Sequence, residues 1–200
     1  MSNDSSTGGF IQPTSAAPIE DAALDALLQA LVAGVTGLPL NLVRPRWQAV
    51  PTAQPEPATD WCAIGVIDET PPPFSALRHA NGYSISTEWT QLRVLASFYG
   101  PTARGNAATM RAGLMIGQNR ETLFGSGIAL AEAPGAARFV PSMVNNQTVR
   151  RVDIEMMFNR AIQRTWPIDD LLSAQIQFNR DDSSSPQPIA TPSSSSPLEP

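Results

Sequence analysis

Catalysis needs nucleophiles, bases and cations placed within reach of one another, and this sequence holds few of them. It has one histidine, His79, and one cysteine, Cys62. A single cysteine excludes a disulfide within the chain, and one His with one Cys excludes nearly every zinc site. His79 lies in a proline-rich stretch with no carboxylate or cysteine beside it and reads as an ordinary loop histidine. All 13 basic residues are arginine, which removes Schiff-base lysines, the P-loop lysine and Ser-x-x-Lys pairs. Gly100-Pro-Thr-Ala-Arg-Gly105-Asn106-Ala107 has the glycine spacing of a phosphate loop, but Asn106 and Ala107 replace its Lys-Ser/Thr. Gly125-Ser-Gly127 lacks the third glycine of a dinucleotide fingerprint and reads as a turn. Asn146-Gln-Thr148 matches a glycosylation acceptor that means nothing without secretion. Asp169-Asp170 and Asp181-Asp182 read as solvated turn pairs rather than metal ligands. We therefore expect no cofactor, no metal site and no enzymatic activity.

The arginines carry more information. Arg44 and Arg46 form a cluster with Trp47 at the head of a proline-rich arm. Arg150 and Arg151 open the longest strand candidate, and Arg160, Arg164 and Trp166 lie towards its end. Arg150, Arg160 and Arg164 have the parity of its apolar face, where an unpaired buried guanidinium is too costly. They either snorkel at a sheet edge or pair with carboxylates of another subunit, for which arginine is well suited. The formal charge of -5 argues against general nucleic-acid binding but leaves room for a local arginine patch.

The elements that must position these residues are read from periodicity. From Glu88 to Tyr99, Leu92, Val94, Ala96 and Phe98 alternate with Gln91, Arg93 and Ser97, which predicts a half-buried strand. Gly100-Pro101 stops it, and Thr102 opens a helix whose stripe is Ala103, Ala107, Met110, Leu114 and Gly117. A first helix is expected over Ile19–Val35, with Leu24, Leu27, Leu28, Leu31 and Val35 inward. Its opposite face of Ala22, Ala26, Ala30 and Ala33 reflects either helix propensity or close approach of another helix or subunit. Trp61–Ile67 reads as a buried strand holding Cys62 as a small core residue, and Ile128–Glu132 as a short one. Pro134–Gln147 reads as a loop. From Thr148 to Trp166, Val152, Ile154, Met156, Phe158 and Ile162 alternate with Arg151, Asp153, Glu155, Asn159 and Gln163. Pairing with the earlier strand puts Arg93 opposite Asp153 or Glu155. Leu172, Ala174, Ile176 and Phe178 make a last alternating segment.

The expected fold class is thus α/β (α+β), a mixed or largely antiparallel sheet of four to five strands carrying two principal helices. Residues 1–18 form an N-terminal arm, 19–180 one domain and 181–200 a low-complexity tail, both ends having disordered-like composition. No apolar run is long enough to cross a bilayer. The N-terminus lacks the pattern of a signal peptide, and a cytosolic origin is expected.

Four segments, GLPLNLVRPRWQ, SFYGPTARG, GLMIGQNRETL and RRVDIEMMFNRAIQRTWPI, occur in an order that resembles the tailed-bacteriophage neck or tail terminator (tail completion) family. The resemblance spans roughly Ile19 to Phe178. It implies a structural virion protein, assembled in the host cytoplasm as a homo-oligomeric, hexameric ring at the head-proximal end of the tail. Such a ring ends growth of the tail tube protein and joins the head-tail connector or neck proteins, with genomic DNA in transient contact with its lumen. Heterologous ring contacts need two complementary patches. The candidate interface residues are Arg44, Arg46, Trp47, Arg150, Arg151, Arg160, Arg164 and Trp166, with Asp21/Asp25 or Asp169/Asp170 as opposite charges. Gln91, Ser97, Asp153, Glu155 and Asn159 are candidates for the lumen or inner wall, the alternative being an ordinary solvated sheet face. Three other readings stand beside this one. They are a different structural adaptor (connector, baseplate or tube-associated protein), a small enzyme using His79, and a nucleic-acid binder built on Arg44, Arg46 and Trp47.

Overall fold

A computed structural model describes residues 3–4, 6–48, 53–80, 82–144 and 147–168. Its centre is the antiparallel pair formed by β4 (Tyr83–Tyr99) and β7 (Gln147–Trp166), matched without a break from Ser84↔Trp166 to Tyr99↔Arg151. The alternation in the two strands dictates this register. Leu92, Val94, Ala96 and Phe98 lie opposite Phe158, Met156, Ile154 and Val152, and all eight are buried. A slip of one residue would turn every one of them to the other face.

Five shorter strands complete a seven-stranded sheet. β2 (Trp61–Thr70) pairs with the C-terminal half of β4 and shifts register between Val66 and Asp68. β1 (Val43–Pro45) runs parallel to β2 and makes the sheet mixed. β3 (Ala76–Ala80) pairs with the N-terminal end of β4. β5 (Ile128–Leu130) and β6 (Arg138–Val144) divide the far side of β7 between them. The order is β1-β2-β4-β7-β5, with β3 on β4 and β6 on β7.

One sheet face is covered by helices. α1 (Asp21–Thr36) buries Leu24, Leu28, Leu31 and Val32, and α2 (Ala103–Leu114) buries Ala103, Ala107, Met110 and Leu114. Both stripes follow the 3.6-residue period. α3 (Glu121–Gly125) adds Leu123 to the same core. These helices on a mixed sheet give the α+β class read from the sequence.

Several local expectations need correction. The sheet has seven strands rather than four to five. β6 occupies the stretch expected to be a loop, and its Pro141 faces Arg150. Proline in a strand is confined to edges, and among the described residues β6 pairs with β7 alone. His79 sits on β3, not in a loop, with Nδ1 2.7 Å from Ser84 Oγ. β3 is almost wholly exposed, so it has no apolar alternation to reveal it. Arg93 faces Met157 across β7, and its cation meets Asp68 of β2 at 3.0 Å instead of Asp153 or Glu155. The N-terminal arm is tied to β7, since the Thr14 N–H donates to the Thr165 carbonyl at 2.8 Å and the Thr165 N–H to Ser15 Oγ at 3.2 Å. The segment at Leu172–Phe178 and the tail at 181–200 lie outside the described residues.

The switch from β4 to α2 depends on Gly100. Its φ is +105°, and an added Cβ would lie 2.5 Å from Asp60 Oδ1 and 2.6 Å from the Thr59 carbonyl. Asp60 in turn accepts the Thr102 N–H at 2.8 Å at the start of the helix. Gly100→Ala should lower the stability by about 2 kcal/mol or more, because the left-handed backbone is strained for alanine and its Cβ would clash with Asp60 and the Thr59 carbonyl. Urea unfolding followed by circular dichroism checks this, and an unchanged midpoint would contradict it.

Candidate assembly surfaces

The face away from the helices is built by odd-numbered residues of β4 and β7, and the arm after β1 folds over part of it. The Arg46 N–H donates to the Ile64 carbonyl at 2.7 Å, which turns the chain over β2. This close approach needs Gly65, where an added Cβ would be 2.9 Å from Arg46 Cβ. Arg46 Nη2 then donates to Ser97 Oγ at 2.6 Å, and Trp47 Nε1 donates to the Val66 carbonyl at 2.8 Å. Beside this contact runs a stack. Arg44 lies over Trp61, Trp61 stacks on Tyr99 with centroids 4.2 Å apart, and Arg151 lies over the far side of Tyr99. Arg151 donates through Nε and Nη2 to the two oxygens of Asp153, each at 2.8 Å. That bond raises the pKa of Arg151, with burial opposing it. Such bidentate pairs are the strong form of the arginine–carboxylate contact.

This geometry places the sequence candidates differently from one another. Arg46, Arg151, Ser97 and Asp153 are joined inside one subunit. Ser97 and Asp153 are buried and do not reach an open wall. Gln91 and Asn159, which face each other across the ladder, are exposed. Glu155 is half-buried and takes the Arg138 cation at 3.4 Å. Arg44 Nη1 donates to the Ala53 carbonyl at 2.6 Å.

Arg160, only 4% exposed, donates to the Ile19 carbonyl and lies 3.7 Å from Glu20. Arg164 pairs with Glu20 at 3.1 Å and Glu88 at 3.6 Å. Their carboxylates therefore come from the chain's own N-terminal segment and β4. Trp166 Nε1 donates to Ser86 Oγ at 2.9 Å, while exposed Arg150 donates to the Pro101 carbonyl.

Two surfaces had little sequence signal. An open groove of about 1030 Å³ lies between the N-terminal end of α1 and the β1 edge, lined by Asp21, Asp25, Leu40, Trp47, Glu69 and Arg160 among others. On β6, Phe139 and Met143 are exposed on an edge strand. Cys62 is wholly buried, and burial pushes its thiol pKa up, with Arg46 pulling it back only in part. Among the described residues no group of three or more His, Cys, Asp or Glu could hold a metal ion, and no helix is long and apolar enough to cross a membrane.

The comparison with known families favours one of the open readings. The model of the phage neck terminator protein family matches residues 22–182, most of the chain. The chain belongs to this family. No curated protein matches it. Membership makes it a structural component of the phage neck and tail.

Two outcomes test the internal pairing. Asp153→Ala should cost about 2–3 kcal/mol in urea unfolding because it strands the Arg151 guanidinium, whereas Arg151→Met with Asp153→Leu should lie within about 1 kcal/mol of wild type. Equal losses would mean that the pair is not what holds this face. Arg160→Met should free the N-terminal arm, so that limited proteolysis cuts ahead of Asp21 faster than in wild type. An unchanged cleavage rate would show that the arm is held by other contacts.

Proposed function

We propose that this neck terminator assembles as a hexameric homo-oligomeric ring on the head-proximal end of the tail tube. There it stops addition of tube protein and joins the tube to the connector and neck proteins, with the genome passing through its lumen. Family membership carries the reading. The sheet adds support, because its two outer edges present different surfaces, an acidic groove beside β1 and an apolar, arginine-bearing strand at β6. Closed rings use heterologous contacts of this kind.

Termination in this reading is mechanical. The ring matches the terminal tube subunits on one side and the neck on the other, leaving no edge for further polymerisation. We assign Gln91, Glu155 and Asn159 to the polar inner wall. A wall of that composition avoids the strong positive field with which arginines would grip passing phosphates. Of the candidate interface residues, Trp47 and Arg150 are exposed enough to reach a neighbour directly. Arg44, Arg46, Arg151, Arg160, Arg164 and Trp166 shape the surfaces from within. Assembly takes place in the host cytoplasm and ends in the virion neck.

Analytical ultracentrifugation of the purified chain, with electron microscopy of the product, should give a six-subunit species with an open centre. Added to tube protein in vitro, it should shorten the tubes and label one end of each. A chain that stays monomeric, and that leaves tube length unchanged, would overturn the reading.

A further inference from the structure

The ring requires each subunit to offer two unlike patches, and the two exposed surfaces above lie on opposite edges of one sheet. On the β6 edge, Phe139 and Met143 are 62% and 70% exposed. Exposed Arg104 of α2 rests on the Phe139 ring at 5.9 Å, on the side of the strand away from the Arg138–Glu155 pair. On the β1 edge, Leu40 and Trp47 are 58% and 65% exposed at the groove. Asp21, Asp25 and Glu69 rim it, and no ion pair reaches these three among the described residues. Asp25 has its pKa raised by burial first and by the neighbouring Asp21 second.

We propose that the β6 edge of one copy, with Phe139, Met143 and Arg104, seats in the acidic groove of the next copy. This rests on the ring reading and names the contact that closes it. A second copy is the occupant because both halves are present on every chain with opposite charge. A two-fold pairing of groove with groove would bring acidic rims together, which disfavours it. Joining one edge to the opposite edge repeats the same contact around an axis, as a heterologous ring demands. The groove of about 1030 Å³ has room for both the Phe139 and Met143 side chains. Apolar anchors ringed by charge are the usual anatomy of such a contact.

Charge exchange tests it. Arg104→Glu, and separately Asp25→Arg, should each weaken self-association by roughly tenfold or more in sedimentation. A mixture of the two variants should recover hetero-association between them, since the unaltered β6 edge of the second meets the unaltered groove of the first, and the acidified edge of the first meets a groove that Asp25→Arg has relieved of its excess negative charge. Phe139→Ser should weaken assembly without any change of charge. Asp25→Asn supplies a readout of opposite sign. The folded-state pKa of Asp25 lies above its unfolded value, so this carboxyl adds stability at low pH that is lost as pH rises through the folded pKa. The amide removes that loss, and the free subunit should unfold at slightly higher urea near neutral pH while its assembly weakens. Urea midpoints, taken at concentrations below assembly, also show that each variant folds.

Folded variants that form rings as wild type does would overturn this contact and leave the ring reading intact. Loss of assembly in both charge variants with no recovery on mixing would also overturn it. A wild-type chain that never forms rings, even with tube ends present, removes the ring reading and this inference with it.

Discussion

The uninterrupted ladder between β4 and β7 is the constraint on which the other elements depend. Its buried side holds Leu92, Val94, Ala96 and Phe98 against their partners Phe158, Met156, Ile154 and Val152, and it admits only one register. Once that apolar surface exists, two helices must cover it. α1 and α2 do so with Leu28, Val32, Met110 and Leu114. The turn between β4 and α2 is short, and a left-handed glycine beside Asp60 makes it possible. Both strands outlast their neighbours, so each flank of the pair is shared by two shorter strands. β2 and β3 take turns along β4, and β6 and β5 along β7. That division leaves several edges available around one rigid centre.

The second face shows how a chain with arginine as its only basic side chain can organise polar groups beneath its own loops. A planar guanidinium stacks on rings and grips a carboxylate at two points. Arg44, Trp61, Tyr99 and Arg151 use the first property, and Arg151 with Asp153 uses the second. The same economy operates at the end of β7. There Arg160 and Arg164 gather Ile19, Glu20 and Glu88, so the N-terminal arm becomes part of the domain. A buried Arg160 is tolerable because its charge is met by a carbonyl and a carboxylate.

What the sequence revealed follows from how much each element buries. The stripe of α2 was legible down to Ala103, Ala107, Met110 and Leu114 because those positions face a core. The parity of β4 and β7 was legible for the same reason, as was the family resemblance across nearly the same span as the family match. β3 and β6 were not, since an exposed edge strand need not alternate, and Pro141 argued against a strand. The partners of the arginines were also hidden. Parity places Arg160 on the apolar face, but only the folded chain shows that Glu20, far away in sequence, comes to meet it. Ser97 and Asp153 looked like open polar positions, and it is the arm carrying Arg46, together with Arg151, that covers them. The acidic groove gave no pattern because its lining comes from α1, the β1 region and β2.

The length of the β4–β7 ladder has a consequence for load. Its hydrogen bonds lie across the strand direction, so tension along the strands stretches many of them in parallel, and none can yield singly as at a peeling end. A subunit with this backbone at its centre resists shear along that axis far better than pulling across it. The outer strands β3, β5 and β6, held by fewer bonds, are the parts that can give way first when neighbouring molecules tug on the chain.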